Sequence, residues 1–206
     1  MTRELRIKQL WLIRSCETDW ELQQRIRGHT DLPIASTGRE RLQACLDASI
    51  ELDLIRHATD EPSLETARLL AKGLEVRRRR LTTFSPPDLG LFEGLTIEQA
   101  TERFPSRARV WAENPIALLP PEGEALNEVF LRTARAFQRL LVRGRTARLG
   151  IVAHPVVIGC LRVLINRADS GAYHALESVA PRLEPYALVP ALLEELRDRI
   201  RALSSG

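Results

Sequence analysis

Short apolar runs that stop abruptly at polar residues alternate along this chain with segments of helical periodicity. Residues 9–13, Gln-Leu-Trp-Leu-Ile, and residues 149–153, Leu-Gly-Ile-Val-Ala, have the length and apolar character of buried central strands. Residues 52–55 are a further strand candidate. Because helical segments separate these runs, the order predicts a three-layer α/β/α sandwich with a mostly parallel central sheet, in a single domain over residues 1–206.

The helical segments carry start and stop signals. Residues 37–40, Thr-Gly-Arg-Glu, have the pattern of a capping box, which predicts a helix over about residues 38–49. Residues 96–99, Thr-Ile-Glu-Gln, repeat that pattern and predict another helix start. A third helix should start at Pro62 and end at Gly73, because proline suits a first turn and glycine suits a C-terminal cap.

The rest of the chain divides into helices, an edge strand and loops. A long amphipathic helix is predicted after residue 124, and a final one over about residues 190–203. Residues 74–82 alternate poorly and fit an edge strand. Residues 83–95 contain two prolines and two glycines and predict a loop. The proline-rich residues 112–124 predict a functional or covering loop.

Composition narrows the class of protein. The chain has 206 residues, of which 44% are apolar and 28% charged, enough to bury a full core. Its apolar runs are far shorter than the roughly 18 residues that span a membrane, and residues 1–7 lack the apolar core of a signal peptide. The wide spacing of Cys16, Cys45 and Cys160 fits neither a disulfide framework nor a metal clamp. We therefore expect a soluble cytoplasmic protein with no membrane contact, structural metal or cofactor.

The chain is rich in arginine without being strongly basic. It has 30 Lys+Arg against 27 Asp+Glu, a formal net charge of +3, and its only lysines are Lys8 and Lys72. Acidic residues interrupt the arginines nearly everywhere except at Arg77–Arg80. This run predicts a solvated strand edge or loop, with a phosphate-binding patch as the alternative. Because no stacking aromatic residues accompany it, nucleic acid is the least supported partner.

Polar residues follow two of the predicted strands directly. Arg14 and Ser15 end the first apolar run, and His154 ends the run at residues 149–153. Since ligands of open α/β sheets bind beyond the carboxyl ends of the strands, these ends predict a shared crevice. Arg14 suits an anion and His154 a hydrogen bond or a proton. The alternatives are a surface ion pair for Arg14 and a helix-capping or core histidine for His154.

Five stretches, in order, match motifs of one known family: residues 14–18 (Arg-Ser-Cys-Glu-Thr), residues 25–34 (Arg-Ile-Arg-Gly-His-Thr-Asp-Leu-Pro-Ile), residues 90–96 (Gly-Leu-Phe-Glu-Gly-Leu-Thr), residues 120–124 (Pro-Pro-Glu-Gly-Glu) and residues 152–155 (Val-Ala-His-Pro). Over about residues 10–166 the chain resembles the histidine phosphatase superfamily, the phosphoglycerate mutase-like phosphatases. The resemblance implies that family's fold and a phosphorylated small molecule or phosphate as ligand. Family members often pair as homodimers, an expectation for which the sequence locates no interface.

The departures from the family pattern fall on its catalytic positions. The family's nucleophilic histidine aligns with Ser15, which cannot form a phosphohistidine. An ungapped count places the family's second phosphate-binding arginine at Pro62 and its acidic proton donor at Pro86. Proline has no side-chain donor and transfers no proton. The resemblance therefore implies a degenerate member, a phosphate-binding or regulatory pseudoenzyme, in which Arg14, Arg25 and His154 remain to bind phosphate.

The alternative is an active phosphomonoesterase with a rearranged site. His154 could activate Ser15, or His57, which ends the second predicted strand after an arginine, could serve as the nucleophile. A plain strand-end histidine is the other interpretation of His57. Asp88 and Glu93 are the candidate replacement acids.

Three further side chains of catalytic type have simpler interpretations. Cys16 lacks the arginine six residues on that a cysteine phosphatase uses, so we interpret it as a packing residue or a reactive thiol. His29 and His174 have no partner at a meaningful spacing, and we expect both to be ordinary surface residues.

Overall fold

The structure, a computed structural model, describes residues 5–46, 49–166 and 183–204. Within them five strands form one sheet in the order β3-β2-β4-β1-β5, in which β5 pairs antiparallel with β1 and the other neighbours run parallel. The predicted mostly parallel sheet is confirmed. The strands are β1 (Gln9–Arg14), β2 (Leu54–His57), β3 (Arg77–Arg80), β4 (Arg148–Ala153) and β5 (Leu183–Ala187).

Helices cover both faces of the sheet. The helices are α1 (Asp19–Leu22), α2 (Ser36–Ala44), α3 (Glu61–Gly73), α4 (Ile97–Arg103), α5 (Pro105–Glu113), α6 (Leu126–Arg143), α7 (Pro155–Asn166) and α8 (Ala191–Ser204). Helices α2 and α3 contribute to one buried apolar cluster, and α6, α7 and α8 contribute to another. The α/β/α layering is confirmed. None of the described helices is long and apolar enough to cross a membrane.

The central strand β1 shows why its sequence is almost continuously apolar. Leu10 and Leu12 belong to the cluster beneath α6 to α8, whereas Trp11 and Ile13 belong to the cluster beneath α2 and α3. All four side chains are buried because helices pack on both faces of the sheet. The carboxyl end of β1 therefore has a rigid support on each side.

At the edge of the sheet, β3 consists of four exposed arginines, Arg77–Arg80. Side chains of one charge sign at a sheet edge discourage pairing with another chain. The prediction of a solvated strand edge is confirmed.

Helix boundaries agree with the sequence where a side-chain cap is present. Thr96 caps α4 and forms the predicted capping box with Gln99. Helix α3 begins at Glu61, next to the predicted Pro62, and its N-cap Asp60 accepts a hydrogen bond from the Ser63 amide. The helix ends at Gly73, as predicted.

Other boundaries differ from the predictions. The helix expected over residues 38–49 is Ser36–Ala44, and no side chain caps its N-terminus. The strand expected at residues 52–55 is Leu54–His57. Helices α5 and α7 and the antiparallel strand β5 were not predicted. Residues 112–113 belong to α5, so the covering loop begins later than expected.

Candidate functional site

The carboxyl ends of β1 and β4 lie side by side, as the crevice hypothesis requires. Arg14 is the register partner of Ala153, and the Ser15 amide donates to the Ala153 carbonyl at 3.0 Å. These ends open on a cavity of about 450 Å³. The charged residues and the histidine that line it are Arg14, Glu17, Glu21, Arg25, Arg27, Glu98 and His154. Among the residues that the structure describes, the lining carries three arginines and three glutamates, which balance in formal charge.

A carboxylate of the chain itself occupies the position between two of these arginines. Glu21 Oε1 accepts from Arg14 Nη2 at 3.0 Å, and Glu21 Oε2 accepts from Arg27 Nε at 3.2 Å. The Thr18 amide donates to Oε2 at 2.9 Å. Burial alone would raise the pKa of Glu21, but the charges of Arg27 and Arg14 outweigh it and hold that pKa below its ordinary value. Glu21 is therefore an ionised, buried partner of both guanidinium groups.

Arg27 is the most deeply placed cation of the site, with a side chain only 1% exposed. Besides Glu21, its Nη1 lies 3.7 Å from Asp60 Oδ2, and its Nη2 donates to Ser15 Oγ at 3.3 Å. Burial raises the pKa of Asp60 above its ordinary value, against the lowering effects of Arg27 and Ser63. Arg27 is thus surrounded by two carboxyl groups and a hydroxyl.

Ser15, at the nucleophile position, is completely buried. Its hydroxyl accepts a hydrogen bond from Arg27, a cation that cannot serve as a base. A serine hydroxyl needs an adjacent base to become a nucleophile. Among the described hydrogen bonds, Ser15 Oγ has no contact with a histidine or carboxylate, so the arrangement holds the hydroxyl without activating it.

Both ring nitrogens of His154 are engaged by the backbone. Nε2 lies 3.0 Å from the Arg27 carbonyl oxygen, and Nδ1 lies 3.2 Å from the Val156 amide nitrogen. An amide can only donate and a carbonyl can only accept, so the ring is neutral with its proton on Nε2. Burial, followed by the charges of Arg27 and Arg14, keeps the pKa of His154 well below its ordinary value. This histidine has no lone pair directed at Ser15.

The structure places His57 apart from this cavity, whose lining does not include it. Its Nδ1 donates to the Ala58 carbonyl at 2.8 Å, which leaves Nε2 to accept from Arg78 Nη1 at 3.3 Å. Burial, together with the charges of Arg78 and Arg80, lowers the pKa of His57. The contacts fit a buried strand-end histidine and not a nucleophile for a ligand at Arg14.

The two prolines that the sequence count aligned with the family's second arginine and its acid are part of the framework. Pro62 lies buried in the first turn of α3, where its carbonyl accepts from Thr66 Oγ1 at 2.6 Å. The Pro86 carbonyl accepts from Arg132 Nη2 at 3.1 Å. Neither residue adds a cation or an acid to the cavity.

The remaining candidates are occupied by other contacts. Arg25 lines the cavity, but its Nη1 donates to the Gly94 carbonyl at 2.7 Å. Asp88 and Glu93 do not line it. They lie around His29 instead, whose Nδ1 is 2.8 Å from Glu93 Oε1 and 3.3 Å from Asp88 Oδ1. His29 is exposed, as expected of a surface residue, and the loop at residues 83–95 folds back beside it.

The His29, Asp88 and Glu93 ligand atoms lie within 4.8 Å of one another, close enough to surround a cation. The Glu93 carboxylate, however, already accepts from the His29 and Leu89 amides, as well as from Thr30. We interpret the group as a hydrogen-bonded junction between two loops. His174, the other histidine expected at the surface, lies outside the described residues.

Cys16 is a packing residue and not a reactive thiol. It is fully buried, and burial raises the pKa of its thiol to about 11. The thiolate needed for attack is therefore scarce near neutral pH. Cys160 is also buried and unpaired, and Cys45 is an exposed free cysteine.

Three charged residues of the candidate site were not predicted from the sequence: Glu21 and Arg27, which line the cavity, and Asp60, which lies 3.7 Å from Arg27. For Arg27 a signal existed, because it stands where the resembled motif has glutamine. Glu21 and Asp60 gave no comparable signal, since their roles depend on the position of the Arg27 side chain.

Comparison with known proteins agrees with this fold and with the motifs at its strand ends. Residues 10–181 match the family described as the histidine phosphatase superfamily (branch 1). The chain belongs to that superfamily.

Its relatives include proteins named as phosphatases or mutases. It is 26% identical to the uncharacterized phosphatase PhoE of Bacillus subtilis, over 90% of this chain and 86% of that protein. It is 27% identical to phosphoglycerate mutase-like protein 4 of Arabidopsis thaliana, over 78% and 71% of the two chains. The solved structure of YhfR from Bacillus stearothermophilus superimposes with a TM-score of 0.70 at 27% identity, over 80% of this chain and 83% of that one.

Proposed function

We propose that this protein is a histidine phosphatase superfamily member that has lost phosphohistidine catalysis and acts as a phosphate-ligand-binding or regulatory pseudoenzyme. The observation that carries the proposal is the Glu21 carboxylate between Arg14 and Arg27. In a working site of this kind, unopposed cations would meet the negative phosphoryl group of the substrate. Here those cations are neutralised from within the chain.

The missing catalytic groups support the same conclusion. General acid catalysis is typically worth about a hundredfold or more in rate, and Pro86 cannot supply it. Ser15 cannot form the family's covalent intermediate, and His154 is neutral with both nitrogens bonded. The alternative of a rearranged phosphomonoesterase requires His154 or His57 to act on Ser15 or on a bound phosphate. Their hydrogen bonds favour neither role.

The cavity retains features of a binding site. Ile26, Ile97 and Trp111 line both the charged cavity and an adjoining apolar groove of about 330 Å³. A phosphate-bearing ligand could place its apolar part in this groove, while its anionic group competes with Glu21 for Arg14. We infer that such binding is weak for inorganic phosphate and is governed by Glu21.

Hydrolysis of 4-nitrophenyl phosphate between pH 4 and 9 tests the loss of catalysis. We expect no turnover by the wild type, and none by Ser15→His, since that change restores neither a second arginine nor an acid. Ser15→Ala, His57→Gln and His154→Gln are the controls for a contaminating phosphatase, because contamination persists in all three. Wild-type turnover that any of the three abolishes would refute the proposal and favour the rearranged phosphomonoesterase.

Vanadate titration monitored by tryptophan fluorescence tests the binding half of the proposal, since Trp111 lines the cavity. We expect weak saturable binding that Arg14→Gln removes. Binding that is unchanged in Arg14→Gln would place the anion elsewhere and contradict the assignment of Arg14.

A further inference from the structure

A second cavity, of about 420 Å³, lies away from the carboxyl ends of β1 and β4 and shares no lining residue with the candidate site. Strands β2 and β3 and the end of α6 surround it. Five arginines line it: Arg56, Arg79, Arg139, Arg143 and Arg145. We call it the arginine cavity. Within the part of the chain that the structure describes, none of its lining residues is acidic.

The arginines of this cavity differ from those that the fold pairs with its own carboxylates. Arg14, Arg27, Arg132 and Arg148 each form an ion pair with a carboxylate. In contrast, the side chains of the five cavity arginines make no hydrogen bond or ion pair with any part of the chain that the structure describes. The arginine cavity therefore concentrates positive charge that the fold itself does not neutralise.

The centre of this charge is an unfavourable pair. Arg56 and Arg79 are direct register partners on neighbouring parallel strands. Arg56 is half-buried, and its Nε atom is fully enclosed without a hydrogen-bond partner. Burial and the neighbouring charge of Arg79 both lower the pKa of Arg56. Like charges placed directly opposite each other destabilise a sheet, and an enclosed unpaired donor adds to that cost.

Ordinary structural roles explain only some of the five arginines of the cavity. Arginines in the last turn of α6 interact favourably with the helix dipole, which accounts for Arg143. Charges on the edge strand β3 discourage sheet extension, which accounts for Arg79. Arg56 has neither role, because β2 is an inner strand and Arg56 is not at a helix end. An anion between the two walls would satisfy Arg56 and screen it from Arg79.

The other lining residues define the shape of that anion. Ile7, Leu54, Leu140 and Leu149 provide an apolar floor between the arginines. The cavity volume is that of a small-molecule site, which typically covers about 300 to 1,000 Å³. Guanidinium groups bind phosphate and carboxylate oxygens in a bidentate manner. We propose that the arginine cavity binds a small organic dianion, in which a phosphate or a pair of carboxylates meets the arginines and an apolar group lies on the floor.

Calorimetric titration with three small probes tests this assignment. Phenylphosphonate carries a non-hydrolysable dianion and an apolar ring, phthalate replaces the phosphonate with two carboxylates, and methylphosphonate lacks the ring. We expect saturable binding of phenylphosphonate at physiological salt and weaker binding of methylphosphonate. Whether phthalate or phenylphosphonate binds more tightly identifies the preferred anionic group. If neither phenylphosphonate nor phthalate binds saturably, the proposal is overturned.

Matched variants locate the binding. Arg79→Gln should weaken phenylphosphonate at least about tenfold, since a hydrogen bond to a charged group is lost. Arg77→Gln is the control, because it removes the same charge from the same strand but does not line the cavity. Arg143→Gln, on the opposite wall, repeats the test without touching the sheet. Equal weakening in Arg77→Gln would mean diffuse attraction and would refute the site.

Two further measurements separate the arginine cavity from other sites. In Arg14→Gln the dissociation constant of phenylphosphonate should stay within about twofold of the wild-type value. Loss of binding in this variant would assign the ligand to the candidate functional site. An oligothymidylate that binds more tightly than phenylphosphonate and displaces it would identify the face as a nucleic-acid surface and overturn the small-molecule assignment.

Discussion

Glu21 should stabilise the fold and at the same time block the anion site, and Glu21→Gln separates the two effects. The carboxylate is 11% exposed, and its partners Arg14 and Arg27 are 13% and 1% exposed. Removing one partner of such a buried ion pair typically costs about 3 to 5 kcal/mol. Because glutamine keeps the shape and one acceptor oxygen, we expect the lower value, about 3 kcal/mol.

In thermal unfolding this loss corresponds to a fall in Tm of about 6 to 12 °C for a chain of this length. Glu98→Gln is the matched control, since Glu98 lines the same cavity but is exposed and makes no contact with an arginine among the described ion pairs. Its Tm should fall by no more than about 1 to 4 °C, because Glu98 stabilises only the N-terminus of α4. A Tm within 1 °C of wild type for Glu21→Gln would mean that the ion pairs contribute nothing, contrary to the geometry.

Phosphate should then stabilise the variant more than the wild type. In Glu21→Gln the guanidinium groups of Arg14 and Arg27 have lost their carboxylate, so an added anion can take its place. At ten times its dissociation constant, a bound ligand adds about 1.4 kcal/mol, or about 3 to 6 °C in Tm. Equal phosphate stabilisation of wild type and variant would refute the view that Glu21 occupies the anion position.

Three further predictions test other parts of the structure. His154 is neutral in the folded protein because its pKa is lowered, so below pH ~6.5 only the unfolded chain takes up a proton at this residue. The free energy of unfolding of the wild type should therefore fall by up to about 1.4 kcal/mol per pH unit as the pH drops below that value. Urea unfolding of His154→Gln across pH should show a dependence smaller by one proton. Gly90→Ala should cost about 1 to 3 kcal/mol in urea unfolding, since φ is +53° and a Cβ would lie 2.1 Å from the Pro121 carbonyl oxygen, whereas Gly73→Ala should be tolerated because its added Cβ meets only the flexible Leu46 side chain. Phe92→Ala should cost about 3 to 5 kcal/mol in the same assay, since Phe92 is 1% exposed and packs on Trp111; unchanged urea midpoints would contradict both packing arguments.

The central part of the fold could be predicted from local pattern. Strands β1 and β4 are buried on both faces, so their apolar runs are distinctive. Strand β5 was missed because Leu183–Ala187 contains a glutamate and a proline, and its pairing depends on the edge that β1 offers. For α2, the Thr-x-x-Glu pattern at residues 37–40 suggested a cap that the structure does not use, since the chain is already helical at Ser36.

At the candidate site, motif positions could be predicted from the sequence but side-chain contacts could not. The resemblance located Arg14, Ser15 and His154 at neighbouring strand ends, as the structure has them. Nothing local indicates that Glu21 bonds both Arg14 and Arg27. Such pairings depend on where loops meet in three dimensions, and they determine whether an arginine at a motif position is available to a ligand.

Ser15 and Arg27, which stand where the family motifs have histidine and glutamine, belong to one hydrogen-bonded arrangement. The Arg27 guanidinium lies within hydrogen-bond distance of Ser15 Oγ in a fully buried position, so a histidine at position 15 would compete with it for the same space. Arg27 in turn needs Glu21 and Asp60, because a buried guanidinium without carboxylates is costly. Glu21 also holds Arg14. Replacing the serine alone therefore leaves the cation, its two carboxylates and the Arg14–Glu21 ion pair in place.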